Sequence, residues 1–296
     1  MQRQYDEDFT LKEDFMVSLG IGLTSDCNLH CAHCYRDQDR IHHLSLKDIK
    51  TICENLEIES IGFGTGENGL NPEYLDILNY LHDYGVKLTL ASNGYTLSIT
   101  PDEQLQYFED VEFSVDFPDQ RRHDQFRGEG NWETVMQGVE RCRKLGLRVS
   151  ILAVLMNLNY KDLGVLARFA AALGVDFRVN VYQPMYTADY MLNFDEYWQA
   201  FEILFDNCKI ISVSEPLVNT FLGIDGLNGT PCGGKSMRVA PDRKLKSCVY
   251  WPESDLTIDD LAAQKEGIFE SPLFKQTHHT PQFCLSCDFV SNCGGG

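Results

Sequence analysis

From Met16 to about Asn207 short β-rich runs alternate with longer stretches whose apolar positions recur at helical spacing. The first pattern predicts strands and the second amphipathic helices. Strands are predicted at Met16 to Thr24, Ser60 to Gly64, Lys87 to Ser92, Val111 to Val115, Arg148 to Leu155 and Asp176 to Tyr182. Helices are predicted between and after them, at Ser45 to Leu56, Pro72 to Tyr84, Pro101 to Phe108, Trp132 to Leu145, Lys161 to Leu173 and Phe194 to Asn207. The boundary residues agree: Ser45 suits an N-cap, Pro72 and Pro101 suit a first helical turn, and Gly85, Gly146 and Gly174 follow three helix ends. Repeated β-then-α units imply an α/β fold with a parallel sheet, because parallel neighbours need a crossover between them.

Six such units are too few for a complete eightfold barrel, so an open, partial (β/α)6 barrel of the TIM type is expected over residues 16–211. A doubly wound sheet is the alternative, and in both the working residues sit just past the carboxyl ends of the strands. Residues 1–15 form an acidic amino-terminal arm, and from Ser212 to Gly296 the periodicity gives way to Gly, Pro and Cys punctuation. That stretch is expected to be a small Cys-rich appendix that depends on metal.

Composition then narrows the function. With 25 Lys and Arg against 44 Asp and Glu the net charge is −19, which repels a phosphate backbone or an anionic bilayer, so neither nucleic acid nor a membrane is an expected partner. The longest mainly apolar stretch, Val149 to Leu158, is far shorter than the ~20 residues of a membrane span. Residues 1–15 have no apolar signal-peptide core, so a cytoplasmic location is expected. There an odd total of 11 cysteines argues for metal or redox chemistry rather than a disulfide framework.

Three of those cysteines, Cys27, Cys31 and Cys34, follow the first strand with the spacing C-x3-C-x2-C. The offsets also describe one helix face, a small buried cysteine stripe, but the neighbouring Asp26, Asn28, His30 and His33 make a poor core helix. A structural zinc site wants four ligands, whereas three thiolates suit a [4Fe-4S] cluster with one iron open to an exogenous ligand. The second loop, Gly64-Thr65-Gly66-Glu67-Asn68-Gly69, matches G-x-G-x-x-G, yet Asn71-Pro72 delays the helix that a dinucleotide-binding turn requires.

At these residues the sequence resembles the radical SAM superfamily. The resemblance implies that Cys27, Cys31 and Cys34 bind the [4Fe-4S] cluster, with His33 where an aromatic residue is usual, and that the open iron chelates S-adenosylmethionine (SAM). Reductive cleavage of SAM would give methionine and a 5'-deoxyadenosyl radical that abstracts hydrogen from the substrate. Thr65-Gly66-Glu67 stands in place of the family's Gly-Gly-Glu motif, which accepts the methionyl amine. By the same resemblance Asn93, in Ser92-Asn93-Gly94, and Ser114 and Asp116, in Ser114-Val115-Asp116, are SAM contacts, Ser114 to the ribose. Arg127 resembles an arginine that binds the SAM carboxylate, and Asn180 is a further candidate at the sixth strand end. No catalytic side chain is assigned.

In the appendix Cys232, Cys248, Cys284, Cys287 and Cys293 allow a zinc ribbon on spacing alone. They also resemble a SPASM or twitch extension, which implies one or more auxiliary [4Fe-4S] clusters around a Pro-Asp-Gly hairpin, here Pro241-Asp242-Arg243. The run ends at Gly296 where that pattern has another cysteine, so the chain is expected to be incomplete there. Cys53, Cys142 and Cys208 are expected in the core; Tyr182, Tyr186 and Tyr190 line a substrate cavity or simply pack. The expected protein is an enzyme that modifies a peptide, protein or comparable bulky substrate, with flavodoxin or ferredoxin as reductant. A small-molecule dehydrogenase or epimerase, and a non-catalytic iron-sulfur or zinc electron carrier or binding module, are the alternatives.

Overall fold

The computed structural model describes residues 16–208, 215–221, 223, 234–251, 254–277 and 279–294. The acidic arm and Cys232 lie outside the described residues. The order is β1 (Val17–Ile21), α1 (Leu46–Asn55), β2 (Ile58–Phe63), α2 (Tyr74–Tyr84), β3 (Lys87–Ser92), α3 (Tyr95–Ile99), α4 (Asp102–Leu105), β4 (Phe108–Ser114), α5 (Gln120–Arg127), α6 (Asn131–Lys144), β5 (Arg148–Leu155), α7 (Leu163–Leu173), β6 (Asp176–Val181) and α8 (Phe194–Asn207). After these come α9 (Pro216–Phe221), β7 (Ser236–Val239), β8 (Leu245–Lys246), α10 (Ile258–Gln264), α11 (Pro272–Thr277) and α12 (Val290–Cys293).

The sheet runs β6-β5-β4-β3-β2-β1-β7-β8, and every adjacent pair is parallel except β7 with β8. From β1 to β6 the spatial order is the chain order, so the chain winds in one direction only. Right-handed crossovers then place all the helices on one face, as in a barrel, whereas a doubly wound sheet reverses direction part-way. Edges at β6 and β8 leave the barrel open.

Alternation along each strand separates the two faces. Leu19, Ile21, Ile61, Phe63, Leu88, Leu90, Val111, Phe113, Ile151 and Ala153 belong to the buried core. Between them stand Gly20, Gly62, Thr89, Ala91, Glu112 and Ser114, which line the lumen. Small residues on that face leave a chamber where larger ones would fill it.

The helix signals act as their chemistry predicts. Ser45 and Asp48 form a reciprocal capping box on α1, as Asn193 and Glu196 do on α8. Gly85 and Gly174 close α2 and α7 in the left-handed region. Three departures have clear causes. The helix expected over Pro101 to Phe108 is only α4, because buried Phe108 pairs with Leu88 and opens β4 three residues before the expected Val111. Pro72 sits in a turn, and α2 starts at Tyr74. Helix α5 escaped the reading because its buried positions are His123, Asp124 and Arg127, so its inner face carries no apolar signal.

The chain after Ser236 joins the same sheet rather than standing apart from it. β7 pairs in parallel with β1, Ser18 opposite Ser236 through Ile21 opposite Val239. Ile258, Leu261, Ile268, Phe269 and Phe274 are buried within the continuous core. Among the described residues no helix is long and apolar enough to cross a membrane.

Candidate active site

The loop after β1 is non-helical at its cysteines, so the buried helical stripe is set aside. Its shape is held from within. Thr24 Oγ1 accepts from Asp26 N at 2.9 Å, and Ser25 N donates to His42 O at 3.0 Å. The buried Arg36 guanidinium donates to Ser25 O at 2.9 Å and to Leu29 O at 2.8 Å. Cys27 Sγ accepts from Leu29 N at 3.4 Å and Asn93 Nδ2 at 3.5 Å, while Cys31 Sγ lies 3.7 Å from Arg127 O. Burial pushes the Cys27 thiol up to about 11, so metal binding is what would ionise it.

All three cysteines line one cavity of about 560 Å³ at the carboxyl ends of the strands, within the size range of small-molecule sites. Thr65, Gly66, Glu67, Asn93, Ser114, Arg127 and Asn180 line it too. Among the described residues no three His, Cys, Asp or Glu side chains converge on a point that could hold a single metal ion. Three thiols spread around a shared chamber, two of them beside amide donors or a buried guanidinium, instead suit a multi-iron cluster in which each thiolate meets a different iron.

The second loop approaches the first closely. A Cβ on Gly66 would fall 2.3 Å from Thr24 O and 2.6 Å from Asp26 O, and Gly66 has φ of +64°, so only glycine fits. Thr65 also takes positive φ, +63°, and its hydroxyl meets Tyr35 Oη at 2.9 Å. A short 3-10 turn, Asn68–Leu70, follows, and α2 begins only at Tyr74, so the glycines do not open a dinucleotide-binding helix.

Residues 21–170 match the model of the Radical SAM superfamily. The chain belongs to that superfamily. It is therefore an enzyme whose family chemistry uses SAM and a [4Fe-4S] cluster. It is similar to the mycofactocin maturase MftC of Mycobacterium tuberculosis, 23% identical over 98% of this chain and 80% of that protein. It is also similar to a probable GTP 3',8-cyclase of Pyrococcus abyssi, 28% identical over 87% of this chain and 92% of that one. The solved structure of anSMEcpe with bound AdoMet and Cp18Cys peptide shares the fold, with a TM-score of 0.73 at 20% identity over 94% of this chain and 88% of that one.

Within this radical SAM enzyme Asp116 and Glu67, both expected to touch SAM, have other partners. Asp116 is fully buried and does not line the cavity: Oδ2 accepts from Arg127 Nε at 2.7 Å and Oδ1 from Val154 N at 2.8 Å. Burial alone would raise its pKa, but Arg127 and then His33 hold it below the usual carboxylate range. Glu67 lines the cavity, yet its carboxylate accepts from Ser92 Oγ, from Asn93 N at 3.0 Å and from Thr96 N at 2.8 Å. It ties the second loop to the turn after β3.

Sequence reasoning gave no role to several other lining residues. His33 stacks on Phe126 at 4.9 Å with its Nε2 3.8 Å from Asp116, and burial lowers its pKa to about 4, so the ring is neutral. Tyr35, Glu112, Arg238, Lys246 and Tyr250 also line the chamber. The available signal was alternation, which puts Glu112 and Ser114 on one face of β4; for Arg238 and Lys246 nothing in the sequence announced that their hairpin joins β1. Tyr182 and Tyr186 reach the cavity, whereas Tyr190 packs on Tyr182 and Phe126.

Cys248 follows β8, Cys284 and Cys287 lie in a short turn, and buried Cys293 ends α12, while Cys232 is outside the described residues. Arg243, at the hairpin position where glycine is usual, has φ of +69° and pairs with Asp48 at 3.0 Å and Asp259 at 2.9 Å. Cys53 and Cys142 are buried in the core, and Cys208 packs against it.

Proposed function

We propose that Cys27, Cys31 and Cys34 hold the [4Fe-4S] cluster and that SAM lies in the shared chamber between Thr65-Gly66, Asn93, Ser114, Arg127 and Asn180. The observation that carries this reading is the opening of all three thiols, on one braced loop, into the chamber those strand ends form. When bound, the reduced cluster supplies one electron to the SAM sulfonium, giving methionine and a 5'-deoxyadenosyl radical for hydrogen abstraction. The chain's own residues shape that event. Asn93 and Leu29 direct N–H groups at Cys27 Sγ, the carbonyls of the Thr65 loop accept from an ammonium, and the His33–Phe126 stack walls the chamber.

The substrate in this proposal is a peptide or protein segment. Its support is the peptide bound by the structural neighbour anSMEcpe, together with exposed Tyr186 and Gln183 on the cavity wall, where a chain segment can enter. Cys232, Cys248, Cys284, Cys287 and Cys293 serve an auxiliary iron-sulfur site in the SPASM or twitch manner, and a flavodoxin or ferredoxin supplies electrons in the cytoplasm. Anaerobically reconstituted protein with dithionite and SAM is expected to release 5'-deoxyadenosine. Cys31→Ala is expected to abolish release, because two thiolates do not retain the cubane; release by the variant at the wild-type rate would refute the ligand assignment.

A further inference from the structure

On the hairpin that extends the sheet beyond β1, Arg238 of β7 stands directly opposite Lys246 of β8. Directly opposed residues of an antiparallel pair project to the same face, and like charges placed so are destabilising. Both side chains line the chamber. Among the described residues the Arg238 side chain has no hydrogen bond or ion pair, and Lys246 Nζ reaches only Trp251 O at 3.4 Å.

The carboxylates that share the wall do not relieve this pair. Glu112 pairs with Arg178 and Glu67 holds its three donors, and among the described residues neither Asp37 nor Asp242 forms an ion pair with Arg238 or Lys246. Two cations without an ion-pair partner among the described residues share one chamber of a protein with a net charge of −19. The guanidinium lies against β1: a Cβ on Gly20 would fall 1.7 Å from Arg238 Nη1, so glycine at residue 20 lets the side chain rest across the inner face in this rotamer.

We propose that Arg238 and Lys246 form a subsite for an anionic group of the substrate, a carboxylate or a phosphate. The proposal rests on the reading of the chamber as the place where substrate meets SAM. A guanidinium offers a planar fork to either oxyanion, the ammonium adds a point charge beside it, and the bound anion removes the repulsion between them. The subsite anchors the substrate at the β1–β7 side of the chamber.

Phenylglyoxal labelling of the reconstituted, SAM-loaded protein, mapped by mass spectrometry, tests this without a known substrate. Arg238 is expected to react at least about fivefold faster than Arg141, which is engaged by Asp102 and two backbone carbonyls. Tripolyphosphate and N-acetyl-triglutamate amide serve as probes, each against sodium chloride of equal ionic strength. Protection of Arg238 by the first points to a phosphate-bearing substrate and by the second to a carboxylate-bearing peptide. Arg238→Gln is expected to weaken binding of the protecting probe about tenfold, with iron content retained as the check on folding. Labelling of Arg238 no faster than Arg141, or no protection beyond the salt control, overturns the subsite. Release of 5'-deoxyadenosine by the same preparation reports separately on the chamber: release without protection sinks the subsite alone, and protection without release upholds the subsite while sinking the radical chemistry.

Discussion

The Asp116–Arg127 pair is the most consequential contact at the level of single residues. Both side chains are more than nine-tenths buried, so removing one partner strands the other's charge in the interior. Arg127→Gln is expected to cost about 3 to 5 kcal/mol in chemical denaturation. In the wild type Asp116 has a depressed folded pKa, so its contribution is present above the unfolded carboxylate pKa and is lost as pH falls through the folded value. In Arg127→Gln the sign reverses: burial then raises the folded pKa, and stability falls as pH rises through it. Denaturation midpoints measured across the acid range distinguish these slopes, and parallel curves would contradict the pairing. Thr65 offers a second test. A β-branched residue at positive φ is strained, and its hydroxyl compensates by meeting Tyr35 Oη. Thr65→Val keeps the strain and strips the half-buried phenol of its partner, with an expected loss of about 1 to 2 kcal/mol, whereas Thr65→Gly trades strain for the lost contact and stays within about 1 kcal/mol of wild type. The sequence marked Thr65 as a departure from a glycine pattern; the dihedral supplies the reason that glycine is usual there.

At the level of elements, the strands were legible because each has one apolar face toward the helices and one small or polar face toward the lumen. Helix α5 was not, since it buries His123, Asp124 and Arg127 in hydrogen bonds to Asn131, Trp132 N and Asp116 instead of apolar contacts. The segment after Ser236 divides in a way that periodicity did not show. Residues 258–274 have their own buried apolar side chains, whereas around Cys284 the chain exposes Phe283, Leu285 and Phe289. If an auxiliary cluster holds that last stretch, Cys284→Ser is expected to open residues 279–294 to protease and leave 258–277 resistant; simultaneous cleavage of both would show that the two depend equally on metal.

For the molecule as a whole, ligand linkage gives a direct measure of the chamber. SAM at about 100 times its Kd is expected to stabilise the cluster-loaded protein by about 2.7 kcal/mol in anaerobic thermal or denaturant unfolding, and the iron-free protein by much less. Equal stabilisation of both would argue against iron as part of the SAM site. The sequence alone determined that the chain alternates strand and helix and that three cysteines sit after the first strand with the spacing C-x3-C-x2-C. Those properties are local: periodicity, capping chemistry and ligand spacing are all written within a few residues of one another. Only the tertiary structure decided that β7 adds to β1 and carries Arg238 into the lumen, and that Glu67 and Asp116 hold the protein's own backbone and Arg127. Each of these depends on which distant segments become neighbours, and a parallel sheet makes its pairings between strands whose sequence separation leaves no periodic trace.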